Sequence, residues 1–107
     1  MTLNEYQALA ARTINKKLGH AETELHALHG MSAEVGEIHS KYQKYYQGHT
    51  VDEGELILEV GDLLWMIAEM CTVNDWTLDD VCKLNIDKLR KRYPDGFSPE
   101  RSRDRRG

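Results

Sequence analysis

The chain of 107 residues and 12.3 kDa has room for one domain with one hydrophobic core. Its net charge of −4 and pI of about 5.7 argue against stable nucleic-acid binding, and its longest apolar stretch is interrupted by acids, which argues against a membrane span. We expect a cytoplasmic protein without a signal peptide, in which Cys71 and Cys82 are reduced thiols because they lack CxxC spacing.

Apolar residues recur at helical spacing along nearly the whole chain, and no stretch alternates as a β-strand does. The first predicted helix covers residues 3–17 and ends before Gly19. The second covers residues 22–47 and ends at Gly48, because a glycine there interrupts the helical pattern.

The third predicted helix covers residues 55–71, and a turn at residues 74–75 follows it. Thr77 begins the fourth, with Asp80 three residues later as a capping-box variant, and Pro94 stops it. We therefore predict an all-α, four-helix bundle-like domain over residues 1–97 and a mobile basic tail over residues 98–107.

The third helix is apolar almost all the way round. Its strong polarity is confined to one stripe, formed by Glu55, Glu59, Asp62 and Glu69. A helix of this kind is buried, so we expect a partner subunit to cover one side of it and to give a homodimer or homotetramer. A buried row of carboxylates repels itself, so a cation must lie against the stripe, and a metal ion is the leading candidate.

Two acidic motifs indicate where that ion binds. Glu34 and Glu37 form E-x-x-E on the second helix, and Glu59 and Asp62 form E-x-x-D on the third. Residues three apart project from one side of a helix, so two such pairs on facing antiparallel helices would bring four carboxylates together. A single pair of this type usually lies on a solvated face, but the apolar surroundings of the second pair argue against that reading. Mg²⁺ prefers oxygen ligands and is commonly completed by substrate phosphates, which suits a di- or triphosphate.

Each acidic motif also contains a glycine within its helix, Gly36 in the first and Gly61 in the second. Glycine in a helix interior costs about 1 kcal/mol relative to alanine. Its presence therefore predicts a close approach by another backbone or by a ligand.

The fourth helix supplies complementary positive charge. Asn85, Lys88 and Arg92 lie at positions i, i+3 and i+7 along one edge, where they could bind phosphate oxygens. The alternative is a solvated basic face near a helix C-terminus, where cations are favoured in any case. Lys41, one turn after Glu37, could be a further phosphate contact or an ion-pair partner of Glu37.

The histidines and aromatic residues give a weaker signal. The five histidines lack metal-ligand spacing with one another, and we expect surface or packing groups, although His26 or His29 could contact a nucleobase. Four aromatic side chains could either stack on a base or serve as core and interface residues: Tyr42, Tyr45, Tyr46 and Trp65.

These motifs together resemble those of the MazG-like nucleoside triphosphate pyrophosphohydrolases. The resemblance rests on residues 34–37 (EVGE), residues 59–65 (EVGDLLW) and residues 85–93 (NIDKLRKRY), and it covers about residues 3–97. The short form, with NEYQ near its start and KRYPDGF near its end, is similar to phage and bacterial members.

The resemblance implies an all-α fold that dimerises or forms a dimer of dimers. It also implies cleavage of a nucleoside triphosphate between the α- and β-phosphates, with Mg²⁺ as cofactor and Mn²⁺ as a substitute. The metal ligands that carry over are Glu34, Glu37, Glu59 and Asp62. The phosphate contacts that carry over are Asn85, Lys88 and Arg92, with Arg90 or Lys91 as alternatives to Lys88.

The sequence hypothesis is a Mg²⁺-dependent nucleotide pyrophosphohydrolase in nucleotide-pool housekeeping. One carboxylate, Glu34 or preferably Glu37, would orient or deprotonate the attacking water, while Lys88 and Arg92 steady the departing pyrophosphate. One alternative is a non-catalytic metal- and nucleotide-binding helical module that interacts with a partner protein, and another is a purely structural bundle. The complete carboxylate motifs favour the enzyme, and the sequence indicates no nucleobase preference.

Overall fold

The computed structural model describes residues 1–104 and folds them into five α-helices. They are α1 (Leu3–Ala11), α2 (His20–Tyr46), α3 (Glu53–Val73), α4 (Leu78–Arg92) and α5 (Pro99–Arg103). The described residues contain no β-strand, only an isolated bridge between Pro94 and Gly96, so the all-α class is confirmed. Within this same range, every helix is too short or too polar to traverse a lipid bilayer.

Helix α1 is shorter than the apolar spacing predicts, because it ends at Ala11 rather than continuing to residue 17. The Thr13 hydroxyl donates a hydrogen bond to the Ala10 carbonyl at 2.7 Å and accepts one from Trp65 Nε1, also at 2.7 Å. A threonine side chain that bonds to nearby backbone competes with helical hydrogen bonding. The Trp65 indole therefore stabilises a turn at Thr13, in a segment whose apolar spacing favours a helix.

Helices α2 and α3 form a long antiparallel pair. His26 contacts Glu69, Gly30 faces Met66 and Lys41 contacts Glu55, so residue numbers fall along α3 as they rise along α2. A Cβ at Gly30 would lie 2.7 Å from Met66 Cγ and closer still to the sulfur. Glycine is therefore what allows the two helices to approach at this level.

The close approach predicted for Gly36 and Gly61 does not come from another helix of the same chain. Among the described residues, no atom outside their own helix lies within 4 Å of where a Cβ would stand at either glycine. Both residues are exposed. A close approach by a ligand or by the backbone of a second chain at these two glycines stays a prediction.

Ala27 of α2 and Met66 of α3 are buried, and a further buried cluster lies where α1, α3 and the start of α4 meet. It consists of Ala68, Cys71 and Leu78, with Tyr6, Ala10 and Ile67 packed against it. Gln7 on α1 secures this junction, because its Nε2 donates to the Trp76 carbonyl at 2.8 Å and its Oε1 accepts from the Leu78 amide at 2.7 Å. Thr77 caps α4 as predicted, with its hydroxyl accepting from the Asp80 amide at 3.1 Å.

Beyond this junction, α4 projects away from the α2–α3 pair instead of closing a compact four-helix bundle. The radius of gyration is 17.1 Å, whereas a compact chain of this length has about 13 Å. The principal extents are 43 × 43 × 28 Å. Helix α2 is about 40 Å long and accounts for one of the two long extents. The other long extent therefore requires an element that runs in a different direction. Leu78 is the one buried residue of α4.

In the single chain, apolar side chains in the N-terminal half of α3 are exposed. Ile57, Leu58 and Val60 are 63%, 71% and 55% exposed. Coverage of these side chains by a partner subunit stays a prediction. In the tail, the sequence analysis missed α5, which begins where the Ser98 hydroxyl accepts from the Arg101 amide at 3.1 Å. The predicted mobility of residues 98–107 stays a prediction, and residues 105–107 lie outside the described residues.

Candidate metal centre

The antiparallel pairing of α2 and α3 brings three of the predicted metal ligands together. Glu34, Glu59 and Asp62 each offer a carboxylate oxygen, and these oxygens all lie within 4.8 Å of one another. Mg²⁺ binds oxygens at 2.0–2.1 Å, so its ligands stand at most about 4.2 Å apart. The three carboxylates therefore fit a Mg²⁺ ion after a small inward movement.

The electrostatics of this cluster favour a bound cation. A hydrogen bond with the Glu59 carboxyl group raises the pKa of Glu34 above its ordinary value. Burial raises this pKa further, as do the negative charges of Asp62, Glu59 and Glu37. Every side chain that shifts Glu34 is acidic, so its charge has no compensation from the protein, and a divalent ion would supply that compensation.

Glu37 lies one turn beyond Glu34 and contributes to the same negative field. Its side chain is exposed, and it is not one of the three residues whose oxygens converge. The structure thus brings together three of the four predicted ligands and leaves the fourth at the edge of the cluster. The catalytic role predicted for Glu37 stays a prediction.

The remaining acids of the α3 stripe have basic partners from the protein. Glu55 accepts a hydrogen bond from Lys41 Nζ at 3.0 Å, and Glu69 contacts His26 Nδ1 at 2.9 Å. The acidic stripe therefore faces α2 at three levels, with a lysine at one end and a histidine at the other. At the middle level α2 presents a further acid, Glu34, so this is where an external cation fits.

Lys41 has a different ion-pair partner from the one suggested by the sequence. The salt bridge joins it to Glu55 rather than to Glu37, and the hydrogen bond to Glu55 raises the pKa of Lys41. The charges of Glu59 and Glu37 raise it further, which places the ammonium group beside the acidic cluster. Lys41 also lines a cavity of about 170 Å³ at the α2–α3 connection, together with Lys44, His49, Thr50, Val51, Asp52 and Glu55.

The three predicted phosphate contacts on α4 stand apart from the acidic cluster. Asn85 and Lys88 are exposed, and Arg92 is half-buried, with an Nε atom that is buried without a hydrogen-bond partner among residues 1–104. In this part of the chain, the salt bridges are His26–Glu69, Lys41–Glu55 and Lys83–Asp79, so none joins α4 to the cluster. A phosphate-binding role for Asn85, Lys88 and Arg92 stays a prediction.

Two contributions to the site escaped the sequence analysis. Glu69 pairs with His26, and a search for a cation opposite each acid of the stripe could have suggested the pair. Tyr6 on α1 lies in the field of the cluster, because burial raises its pKa and the Asp62 charge raises it further. Trp65, a candidate for base stacking, donates its indole N–H to Thr13 and thereby fixes the turn after α1.

Comparison with known proteins agrees with this geometry. No curated protein and no solved structure matches the chain. A family model described as the MazG nucleotide pyrophosphohydrolase domain matches residues 22–97, which include both acidic motifs and all of α4. The chain therefore belongs to the MazG nucleotide pyrophosphohydrolase family, whose members are hydrolases acting on phosphoanhydride bonds.

Proposed function

We propose that this protein is a Mg²⁺-dependent pyrophosphohydrolase that cleaves nucleoside or deoxynucleoside triphosphates between the α- and β-phosphates. The products are a nucleoside monophosphate and pyrophosphate, and the role is housekeeping of the cytoplasmic nucleotide pool. The observation that carries the proposal is the convergence of the Glu34, Glu59 and Asp62 carboxylates in a chain of this family.

Each carboxylate has a part in this proposal. Glu34, Glu59 and Asp62 hold the ion, Mg²⁺ or Mn²⁺ in its place, which when bound neutralises phosphate charge and activates water. Glu37 lies exposed at the edge of the cluster, one turn from Glu34, where it can accept a proton from the attacking water. Its position outside the three converging oxygens supports a role as base rather than as an obligatory ligand.

The phosphate contacts divide between two regions. Lys41 stands beside the cluster, paired only with the exposed carboxylate of Glu55. Lys88 and Arg92 lie on the projecting α4, so they reach the acids only if a second copy of the chain packs against the exposed faces of α2 and α3. We therefore propose a homodimer or homotetramer formed through these apolar faces.

The test is a panel of ribo- and deoxynucleoside triphosphates with Mg²⁺, in which monophosphate, diphosphate, pyrophosphate and orthophosphate are quantified separately. Glu59→Gln should lower the rate by more than about 100-fold, because it removes a charged metal ligand. Glu53→Gln is the matched control, since Glu53 is an exposed acid of the same helix outside the cluster.

The products decide the outcome. Diphosphate and orthophosphate would contradict the proposed cleavage position, and full activity in Glu59→Gln would contradict the proposed site. Mg²⁺-dependent nucleotide binding without any product would identify a non-catalytic binding module instead.

The assembly is tested separately by sedimentation velocity. Leu58→Glu places a charge on an apolar side chain that is 71% exposed in the single chain. We expect it to dissociate the oligomer, whereas Gln43→Glu, at an exposed polar position of α2, should leave it intact. A wild-type protein that stays monomeric at micromolar concentration would contradict the proposal.

A further inference from the structure

The most unusual polar group outside the metal cluster is the Glu69 carboxylate. It is 4% exposed, and both of its oxygens contact His26 Nδ1, at 2.9 and 3.0 Å, while the imidazole itself is 55% exposed. The buried residues near it on α3, Met66, Ala68 and Cys71, are apolar. An apolar side chain of similar volume is commonly at least as stabilising as a buried charge, so packing alone does not explain a carboxylate here.

The physical effect of Glu69 is to fix the His26 ring. The carboxylate accepts the Nδ1 proton, which sets the tautomer of a neutral imidazole and the direction in which the ring points. Nε2 then points away from Glu69, and among residues 1–104 no hydrogen bond occupies it. An exposed imidazole held by a buried carboxylate is an arrangement suited to contacting a ligand.

The position of His26 on α2 relates it to the proposed active site. His26, Ala33, Glu37 and Lys44 are spaced by seven, four and seven residues, so they lie within about 40° of one another around the helix. All four are exposed, and we call this strip the His26–Lys44 face. Glu37, the proposed base, lies between its two ends, and the small side chain of Ala33 leaves room between Glu37 and His26.

The two ends of the His26–Lys44 face differ in chemistry. At one end, Lys44 and Lys41 line the same cavity, and two lysines suit the phosphate chain of a nucleotide. At the other end, His26 presents a single ring nitrogen about 16 Å along the helix from Glu37. A single, fixed hydrogen-bonding nitrogen suits the nucleoside, whose base and sugar carry individual donors and acceptors.

We propose that His26 contacts the nucleoside half of the substrate through Nε2, with Glu69 as its positioning residue, and that the phosphates point toward Lys44. This inference rests on the proposed function, because it assigns the orientation of the same nucleotide. The proposed contact is one hydrogen bond between His26 Nε2 and either the edge of the base or a hydroxyl group of the sugar.

The experiment compares steady-state kinetics and the binding of uncleavable α,β-methylene nucleotides for wild type, His26→Ala and His20→Ala. His26→Ala should raise KM and the analogue Kd by about 3- to 10-fold, the value of one hydrogen bond, and leave kcat within about twofold. His20→Ala is the matched control, because His20 is an exposed histidine at the start of α2. Inhibition by inorganic tripolyphosphate, which lacks a nucleoside, should be unchanged in both variants.

Two Glu69 variants separate positioning from folding. His26→Ala leaves the buried carboxylate unpaired, which can destabilise the fold, whereas Glu69→Met replaces it with an apolar group of similar size. Glu69→Met should raise KM as His26→Ala does, with an unchanged melting temperature or a higher one. Glu69→Gln keeps an oxygen acceptor for the Nδ1 proton and should restore KM to within about twofold of wild type.

The outcomes distinguish this inference from the proposed function. A KM increase that differs among bases supports a base contact, and one that differs between ribose and deoxyribose supports a sugar contact. If the enzyme is active and His26→Ala has the same KM as the His20→Ala control, the inference alone is overturned. A loss of tripolyphosphate inhibition as large as the loss of nucleotide binding would also overturn it. Wild-type protein that neither binds the analogues nor forms monophosphate would overturn the proposed function and this inference with it.

Discussion

Replacing Gly30 with alanine perturbs the closest approach of α2 and α3, midway between the metal cluster and the His26–Glu69 pair. The new methyl group would lie 2.7 Å from Met66 Cγ and even closer to the sulfur. Met66 is itself buried, so the thioether has no open space into which to retreat without disturbing its neighbours. The two helices must therefore separate or Met66 must leave its preferred rotamer.

Two opposing terms set the size of the effect. Alanine is favoured over glycine within a helix by about 1 kcal/mol, while overpacking of a tight contact costs about 1–3 kcal/mol. Gly30→Ala should therefore lower the free energy of unfolding by about 1 kcal/mol. Gly36→Ala makes the same exchange in the same helix, and among residues 1–104 no atom outside that helix lies within 4 Å of the new Cβ. It should raise the free energy of unfolding by about 1 kcal/mol.

The assay is urea unfolding of both variants in EDTA at two protein concentrations. Because helix propensity and unfolded-chain entropy are common to both exchanges, the difference between the variants isolates the contact with Met66. We expect a difference of about 2 kcal/mol, or about 10 °C in melting temperature for a domain of this size. Equal effects of the two substitutions would refute the close approach, and a destabilising Gly36→Ala would indicate that a partner covers Gly36.

Three further predictions concern the metal cluster and the junction of α1 with α4. Because the folded state raises the pKa of Glu34, it holds that proton more tightly than the unfolded chain, so this residue destabilises the metal-free protein increasingly as pH rises above about 4. Glu34→Gln should thus gain stability relative to wild type between about pH 4 and pH 7 in EDTA, and a difference that does not change with pH would argue against the acidic cluster. Mg²⁺ at a hundred times its Kd should add about 2.7 kcal/mol to the free energy of unfolding of the wild type. The same Mg²⁺ concentration should not stabilise Glu59→Gln, and the melting temperatures of the two proteins with and without Mg²⁺ test this difference. Gln7→Leu should lower the free energy of unfolding by about 2 kcal/mol, because it leaves the Leu78 amide and the Trp76 carbonyl without their hydrogen-bond partner. Urea unfolding measures this change, and a loss below about 0.5 kcal/mol would contradict the two hydrogen bonds at the junction.

The sequence predicted well those features that depend on one helix at a time. Apolar spacing predicted four of the helices, and Thr77 marked the start of α4 correctly. The acidic stripe of α3 indicated that cations must oppose it, because a row of carboxylates on an apolar helix needs compensation whatever the fold.

Features that depend on how two helices meet escaped the sequence. The register of α2 against α3 decides that Gly30 makes the close approach and that Lys41 pairs with Glu55. The end of α1 depends on an indole that is 52 residues away from Thr13 along the chain. Local periodicity carries no information about such distant partners, which is why it extended α1 too far and did not identify Gly30.

The sequence also could not show where α4 goes. The apolar and basic residues of α4 predict an amphipathic helix. They do not indicate whether its apolar face packs on its own chain or on a second chain. In the structure, α4 is anchored through Leu78 and Gln7 at one end and is exposed along most of its length. The placement of Asn85, Lys88 and Arg92 relative to the acids is thus a question of assembly, which no pattern within one chain encodes.

The three levels at which the α3 acids face α2 imply a conflict between the stability of the metal-free protein and its activity. At two of them the chain supplies its own basic partner, Lys41 or His26, and at the middle level it places Glu34 against Glu59 and Asp62. A lysine in place of Glu34 would pair with Glu59 and Asp62 and remove most of the repulsion, which would stabilise the metal-free protein and remove a ligand of the ion. Selection for stability alone would favour such a change. Mutations that remove this repulsion should therefore accumulate only in copies of the protein that are no longer selected for catalysis.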